Sequence, residues 1–180
     1  MTRTVTRSYD DYSTASSVVA ELESAGFSGD DVSLIGRRDA DNDDESNAAE
    51  GAGIGAGVGG AAGLLAGLGM LAIPGIGPVV AAGWLAATAA GAVAGAAAGG
   101  VIGAMTSAGV DEKDAHVYAE SVRRGGSVVS VRASDARADE AEAIMDRAIP
   151  VDITTRRSEY EREGWTQFDP NATPYIRPGI

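Results

Sequence analysis

The chain has 180 residues, enough for one ordinary domain with an appendage, and a net charge of −12. That acid excess argues against a nucleic-acid backbone as main partner, because phosphate binding needs a basic footprint, and against simple adhesion to anionic lipid surfaces. The absence of cysteine removes disulfides, thiolate metal sites and thiol nucleophiles.

In chain order, residues 1–36 read as the first half of a small domain. No apolar stretch of signal-peptide type opens the chain, so the N-terminal flank is expected in the cytoplasm. Thr4 to Tyr9 reads as a strand, and Asp10-Asp11 offers an N-cap to a helix over 12–25. Ala15, Val18, Val19, Leu22 and Ala25 make one apolar face of that helix, and Gly26 ends it. Val32 to Gly36 is a second strand. Residues 37–50 form an acidic linker.

Residues 51–110 hold no charged residue and no histidine; 37 of the 60 positions are Gly or Ala. Gly51, Gly55, Gly59, Gly63 and Gly67 recur every four residues. Gly83, Ala87, Gly91, Gly95, Gly99 and Gly103 form a second such row. Positions four apart share a helix face, so the spacing predicts two helices that approach closely along side-chain-free grooves. Pro74, Gly75, Gly77 and Pro78 mark the turn between them. Glycine costs about 1 kcal/mol relative to alanine in a water-exposed helix. A bilayer or a tightly packed oligomer would offset that cost. Residues 51–73 as a helix would span roughly 34 Å against a hydrocarbon core of about 30 Å. The expectation is a transmembrane hairpin in the cytoplasmic membrane, in contact with lipid, with both flanks in the cytoplasm. The alternative is a cytoplasmic protein.

Residues 111–155 read as the second half of the domain. A helix covers 111–124, with Ala115, Tyr118, Ala119 and Val122 inward. A strand follows over 127–133, a helix over 135–148, and a last strand over 150–155 opened by Pro150. With the insert set aside, the order suggests a ferredoxin-like α+β fold, a small antiparallel sheet with helices. Residues 156–180 form a polar tail whose prolines disfavour regular structure. Its Tyr160, Trp165, Phe168 and Tyr175 are expected to dock on the domain or on a protein partner.

No catalytic constellation emerges. Gly55-Ala56-Gly57-Val58-Gly59-Gly60 matches a dinucleotide-loop string, but an acidic linker precedes it where a strand is needed. Asp39, Asp41, Asp43, Glu45 and Glu50 match calcium-loop spacing, yet Asp44 stands where the turn needs glycine. His116 is the sole histidine and has no second ligand or nucleophile nearby in sequence. The expectation is a protein without enzyme activity, cofactor or metal.

Tyr9-Asp10-Asp11-Tyr12, Glu21 to Phe27 running into Asp30 to Ile35, His116 to Gly126 running into Val128 to Val131, and Glu163-Gly164-Trp165 with Phe168-Asp169 carry a resemblance. In these stretches the chain resembles the bacterial general stress protein 17M-like (heat-induced stress protein) domain family. The resemblance implies a stress-associated bacterial protein and offers no catalytic residues. The functional expectation is a non-enzymatic stress-associated membrane protein that homo-oligomerises through its glycine rows. The alternatives are a soluble homo-oligomeric assembly cored by the Gly/Ala helices, or a small ligand-sensing domain.

Overall fold

The computed structural model describes residues 2–37, 69–73, 75–94, 100–173 and 175. β1 (Thr2–Tyr9) alternates Val5 and Tyr9 into one face of the sheet, and the Tyr9 hydroxyl donates to the Met145 carbonyl at 2.9 Å. α1 (Tyr12–Ser24) starts where Asp11 accepts the Thr14 N–H at 2.7 Å. It ends in a Schellman arrangement, with Phe27 N–H on the Leu22 carbonyl and Gly26 N–H on that of Glu23. Arg137 adds a cation there, donating to the Ala25 and Gly26 carbonyls and stacking 3.9 Å from the Phe27 ring centroid. β2 (Val32–Gly36) is buried at every residue.

The sheet continues with β3 (Gly69–Ile73), β4 (Gly77–Ala82) and β5 (Ser127–Ser134) in the spatial order β1-β5-β2-β4-β3, every neighbouring pair antiparallel. The helices are α2 (Gly83–Ala94), α3 (Gly100–Ser107), α4 (Glu112–Arg123), α5 (Asp135–Arg147) and α6 (Ile153–Arg162). α1 and α5 cover one face, burying Val18, Val19, Leu22, Ile144 and Met145 against Val5, Leu34, Val129 and Val131. On the other face Leu85, Val101, Met105, Ala115, Ala119 and Val122 pack with Ile35, Val79 and Val128.

The insertion of β5 between β1 and β2 is the split β-α-β of a ferredoxin-like α+β fold, and the architecture is consistent with that plan. Its fourth strand is reduced to a single antiparallel bridge, Ser8 to Val151. The strand expected over 150–155 stops there because Asp152 caps α6, accepting the Thr155 N–H at 2.7 Å. The supposedly irregular tail therefore begins with a helix; its prolines all lie beyond that helix.

The uncharged stretch departs further from expectation. The two-helix hairpin is not shown. Among the described residues, 69–73 and 77–82 form a β-hairpin, with Ile73 opposite Gly77. The physical reason is the local period. Ile73, Val79 and Ala81 face the core while Ala72 and Pro78 are exposed, a two-residue alternation that the four-residue glycine spacing masks. β4 also satisfies the outer edge of β2, which would otherwise carry unpaired backbone groups.

Membrane anchoring and inner-membrane placement are overturned with it. Among the described residues no helix is long and apolar enough to cross a membrane. Within the described residues of the stretch expected to form the second span, α2 covers 12 residues, or about 18 Å against the roughly 30 Å of hydrocarbon. Gly83 opens α2, Ala87 and Gly91 follow within it, and Gly103 lies in α3. Among the described residues a Cβ at Gly103 would meet nothing within 4 Å, so none of their backbone approaches closely there. Gly51, Gly55, Gly59, Gly63, Gly67, Gly95, Gly99 and Pro74 lie outside the described residues, as do the calcium-like spacing and the dinucleotide-like string. Gly75 and Gly77 sit in the β3–β4 turn and at its exit, and Pro78 is the second residue of β4.

Two substitutions probe this packing. A Cβ on Gly36 would lie 2.9 Å from Ser127 Cβ and 3.0 Å from the Tyr12 ring. Gly36→Ala is expected to cost about 1–3 kcal/mol by overpacking, read as a lowered urea midpoint. Ile149 has φ +52° and is 87% exposed, so a β-branched residue bears left-handed strain without compensating burial. Ile149→Gly is expected to raise stability by roughly 0.5–1 kcal/mol; an unchanged or lower melting temperature would contradict this.

Candidate functional site

A cleft of about 600 Å³ lies between the C-terminal end of α4, Gly126 at the start of β5, Asp10 after β1, and α6. One stripe of α6 and its cap builds most of one wall: Arg156, Glu159, Tyr160 and Glu163 recur at i, i+3, i+4 and i+7, with Arg162 beside them. Ser121 and Arg124 come from the facing end of α4, and Tyr175 from the tail.

Glu120 is the hub behind this wall. It is 1% exposed and uses both carboxylate oxygens on Arg123, at 2.8 and 2.7 Å, while one of them also accepts Arg124 Nε at 2.7 Å. Arg124 also pairs with Glu163 and stacks on the Tyr160 ring at 4.1 Å and the Tyr175 ring at 5.1 Å. Burial opposes the charge on Arg124, but the Glu163 and Glu120 carboxylates outweigh it and hold its pKa above the ordinary value. Burial also raises the Tyr160 phenol, with the Arg156 cation partly opposing.

The tail is fastened by the same arginines. Arg123 donates to the Thr173 carbonyl at 3.2 Å, and Arg37 donates to the Arg123 and Tyr175 carbonyls, each at 3.3 Å. Five of the chain's 14 basic residues thus stand in or beside one cleft of a strongly acidic protein. Two of them keep spare donors. Arg156 gives Nη2 to Asp10 at 2.7 Å, while its buried Nε lies 3.5 Å from Glu159, an ion contact without a hydrogen bond. Arg162 Nε donates to the Ser158 carbonyl of its own helix at 3.1 Å. Ser121 at the floor shares a hydrogen bond with Ser8 at 2.8 Å.

His116 has a different place. It lines a separate recess of about 430 Å³ with Lys113, Arg157 and Trp165. Its Nδ1 accepts the Phe168 N–H at 3.3 Å, which helps seat Phe168 in the core. Tyr160 and Trp165 meet edge to face at 5.7 Å. All four tail aromatics expected to dock therefore make contacts within the chain. Among the described residues no group of three or more His, Asp or Glu side chains is placed to hold a metal ion.

The cleft escapes sequence reasoning because the prolines of 156–180 point to an irregular tail, whereas residues 156–162 are helical. The available signal was Asp152 as an N-cap, followed by the helical spacing of Arg156, Glu159, Tyr160 and Glu163. Arg123-Arg124 was legible as a basic pair, but the buried Glu120 beneath it was not. In comparison with known proteins, no family model, no curated protein and no solved structure matches this chain.

Proposed function

We propose that this protein is a non-enzymatic, stress-associated domain that senses a small polar ligand in the cleft between α4 and α6. The observation that carries the reading is the gathering of arginines, carboxylates and tyrosines around a cleft of about 600 Å³, within the size range of small-molecule sites. The stress association rests on the resemblance to the general stress protein 17M-like family. The sensing role rests on the cleft and on the analogy of ferredoxin-like modules that bind small ligands. Thermal shifts of the full chain against a library of polar metabolites test it. At least one compound should raise the melting temperature of the wild type and lose that effect in Arg156→Ala. A library without any stabilising compound overturns the reading.

A second reading is self-association through the uncharged stretch. Met70 is 78% exposed, and its cross-strand partner Val80 is half-buried; Ala72 and its partner Pro78 are exposed. These four make an apolar strip on the β3–β4 ribbon, in a stretch without charge to repel a second copy. Light scattering after size exclusion should give a dimer or larger assembly that Met70→Lys dissociates. A wild-type monomer at micromolar concentration would count against this reading.

A further inference from the structure

The charges lining the cleft balance. Arg124, Arg156 and Arg162 face Asp10, Glu159 and Glu163. A ligand bearing only negative charge would gain the arginines and meet the three carboxylates; one bearing only positive charge would meet the reverse. The unused hydrogen-bonding capacity is balanced as well. Arg156 has Nη2 on Asp10 and its Nε shielded beside Glu159, and Arg162 is held through Nε by one carbonyl of its own helix, which leaves the remaining guanidinium N–H groups of both for a ligand. On the opposite sign, the Asp10, Glu159 and Glu163 side chains are 72%, 46% and 61% exposed, each in an ion pair that leaves acceptor sites open. A partner for this lining must offer acceptors to the arginines and donors to the carboxylates within the same small volume.

We infer that the cleft takes a zwitterion of the α-amino acid type, its carboxylate on Arg156 and Arg162 and its ammonium among Asp10, Glu159 and Glu163. This rests on the ligand-sensing reading above and narrows it to one chemical class. Both ends of such a ligand make charge-assisted hydrogen bonds, the stronger kind, and the complex carries no net charge beyond that of the empty cleft. Arg124 is not assigned to the ligand, because Glu120, Glu163 and two tyrosine rings already occupy it.

Calorimetric titration of the full chain with the neutral L-amino acids, from glycine to tryptophan, tests the class. The tightest binder is then compared with its des-amino and des-carboxy analogues. Each single-charge analogue is expected to bind about tenfold more weakly or worse, because it leaves one set of cleft charges unanswered. Arg162→Gln should weaken the parent amino acid by about tenfold and leave the melting temperature of the free protein unchanged. Equal binding of the des-amino analogue would make this an anion site; equal binding of the des-carboxy analogue would make it a cation site. Either result overturns the zwitterion while sparing the sensing role. If no amino acid binds, the zwitterion class falls, and the metabolite library decides separately whether the cleft binds any ligand.

Discussion

Replacing Glu120 by alanine is expected to lower the unfolding free energy by about 3–5 kcal/mol, the range for removing one partner of a buried ion pair. The effect follows from what the change leaves behind. The Arg123 and Arg124 side chains are only 16% and 15% exposed, and Glu120 takes two hydrogen bonds from the first and one from the second. Among the described residues Arg124 would keep Glu163 and its two rings, whereas Arg123 would keep the Thr173 carbonyl and the Tyr175 ring, 5.4 Å from its guanidinium. Urea unfolding followed by circular dichroism gives the number. A loss under 1 kcal/mol would mean that water reaches both guanidiniums, as at an exposed pair. The double change Glu120→Leu with Arg123→Leu should recover much of the loss, since a well-packed apolar pair can match a buried ionic one.

Alkaline pH is expected to destabilise the fold through buried phenols. Burial pushes Tyr118 up to about 12, with Arg7 partly opposing, and raises Tyr9 and Tyr160 as well. An unfolded tyrosine titrates near 10. Above that pH the unfolded chain sheds protons that the folded chain retains. The stabilisation is therefore complete below about 10 and is lost as pH rises through the folded value. Tyr118 alone accounts for about 3 kcal/mol between those limits. Comparing urea midpoints at pH 8 and near pH 12 checks this. Tyr118→Phe should cost about 1 kcal/mol at pH 8, since its hydroxyl donates to the Thr6 carbonyl at 3.1 Å, and should lose less on going alkaline. Identical alkaline losses in variant and wild type would remove Tyr118 from the explanation.

The elements that sequence made legible are those whose ends carry local chemistry. Asp11 and Gly26 bound α1, Asp111 opens α4, and Gly125-Gly126 separates α4 from β5. In each case a short polar side chain or a glycine meets the unpaired backbone groups of a helix end. The β3–β4 hairpin was hidden for the opposite reason. Its inner strand, β4, is held by pairing to β2, a partner more than 40 residues away, and β3 pairs only with β4, while the most regular local signal is a four-residue glycine period. The cleft was hidden more deeply. Its walls bring together Asp10, Ser121, Arg124 and α6, and nothing in the neighbourhood of any one of them names the others.

The central position of β5 carries a consequence for how the chain is made. β1 and β2 do not pair with each other; both wait for β5, whose Ser134 lies opposite Thr2. About 90 residues separate Gly36 from Ser127, so at roughly 5–20 residues per second a ribosome takes about 5–18 s to deliver the strand between them. During that interval the first two strands have no central partner, and non-local pairing of this kind folds slowly. The equilibrium penalty is much smaller than the kinetic one, because each doubling of a loop adds only about 0.6 kcal/mol to its closure. A long insertion after β2 is therefore tolerated thermodynamically, and its cost falls on the nascent chain as time spent with open strand edges.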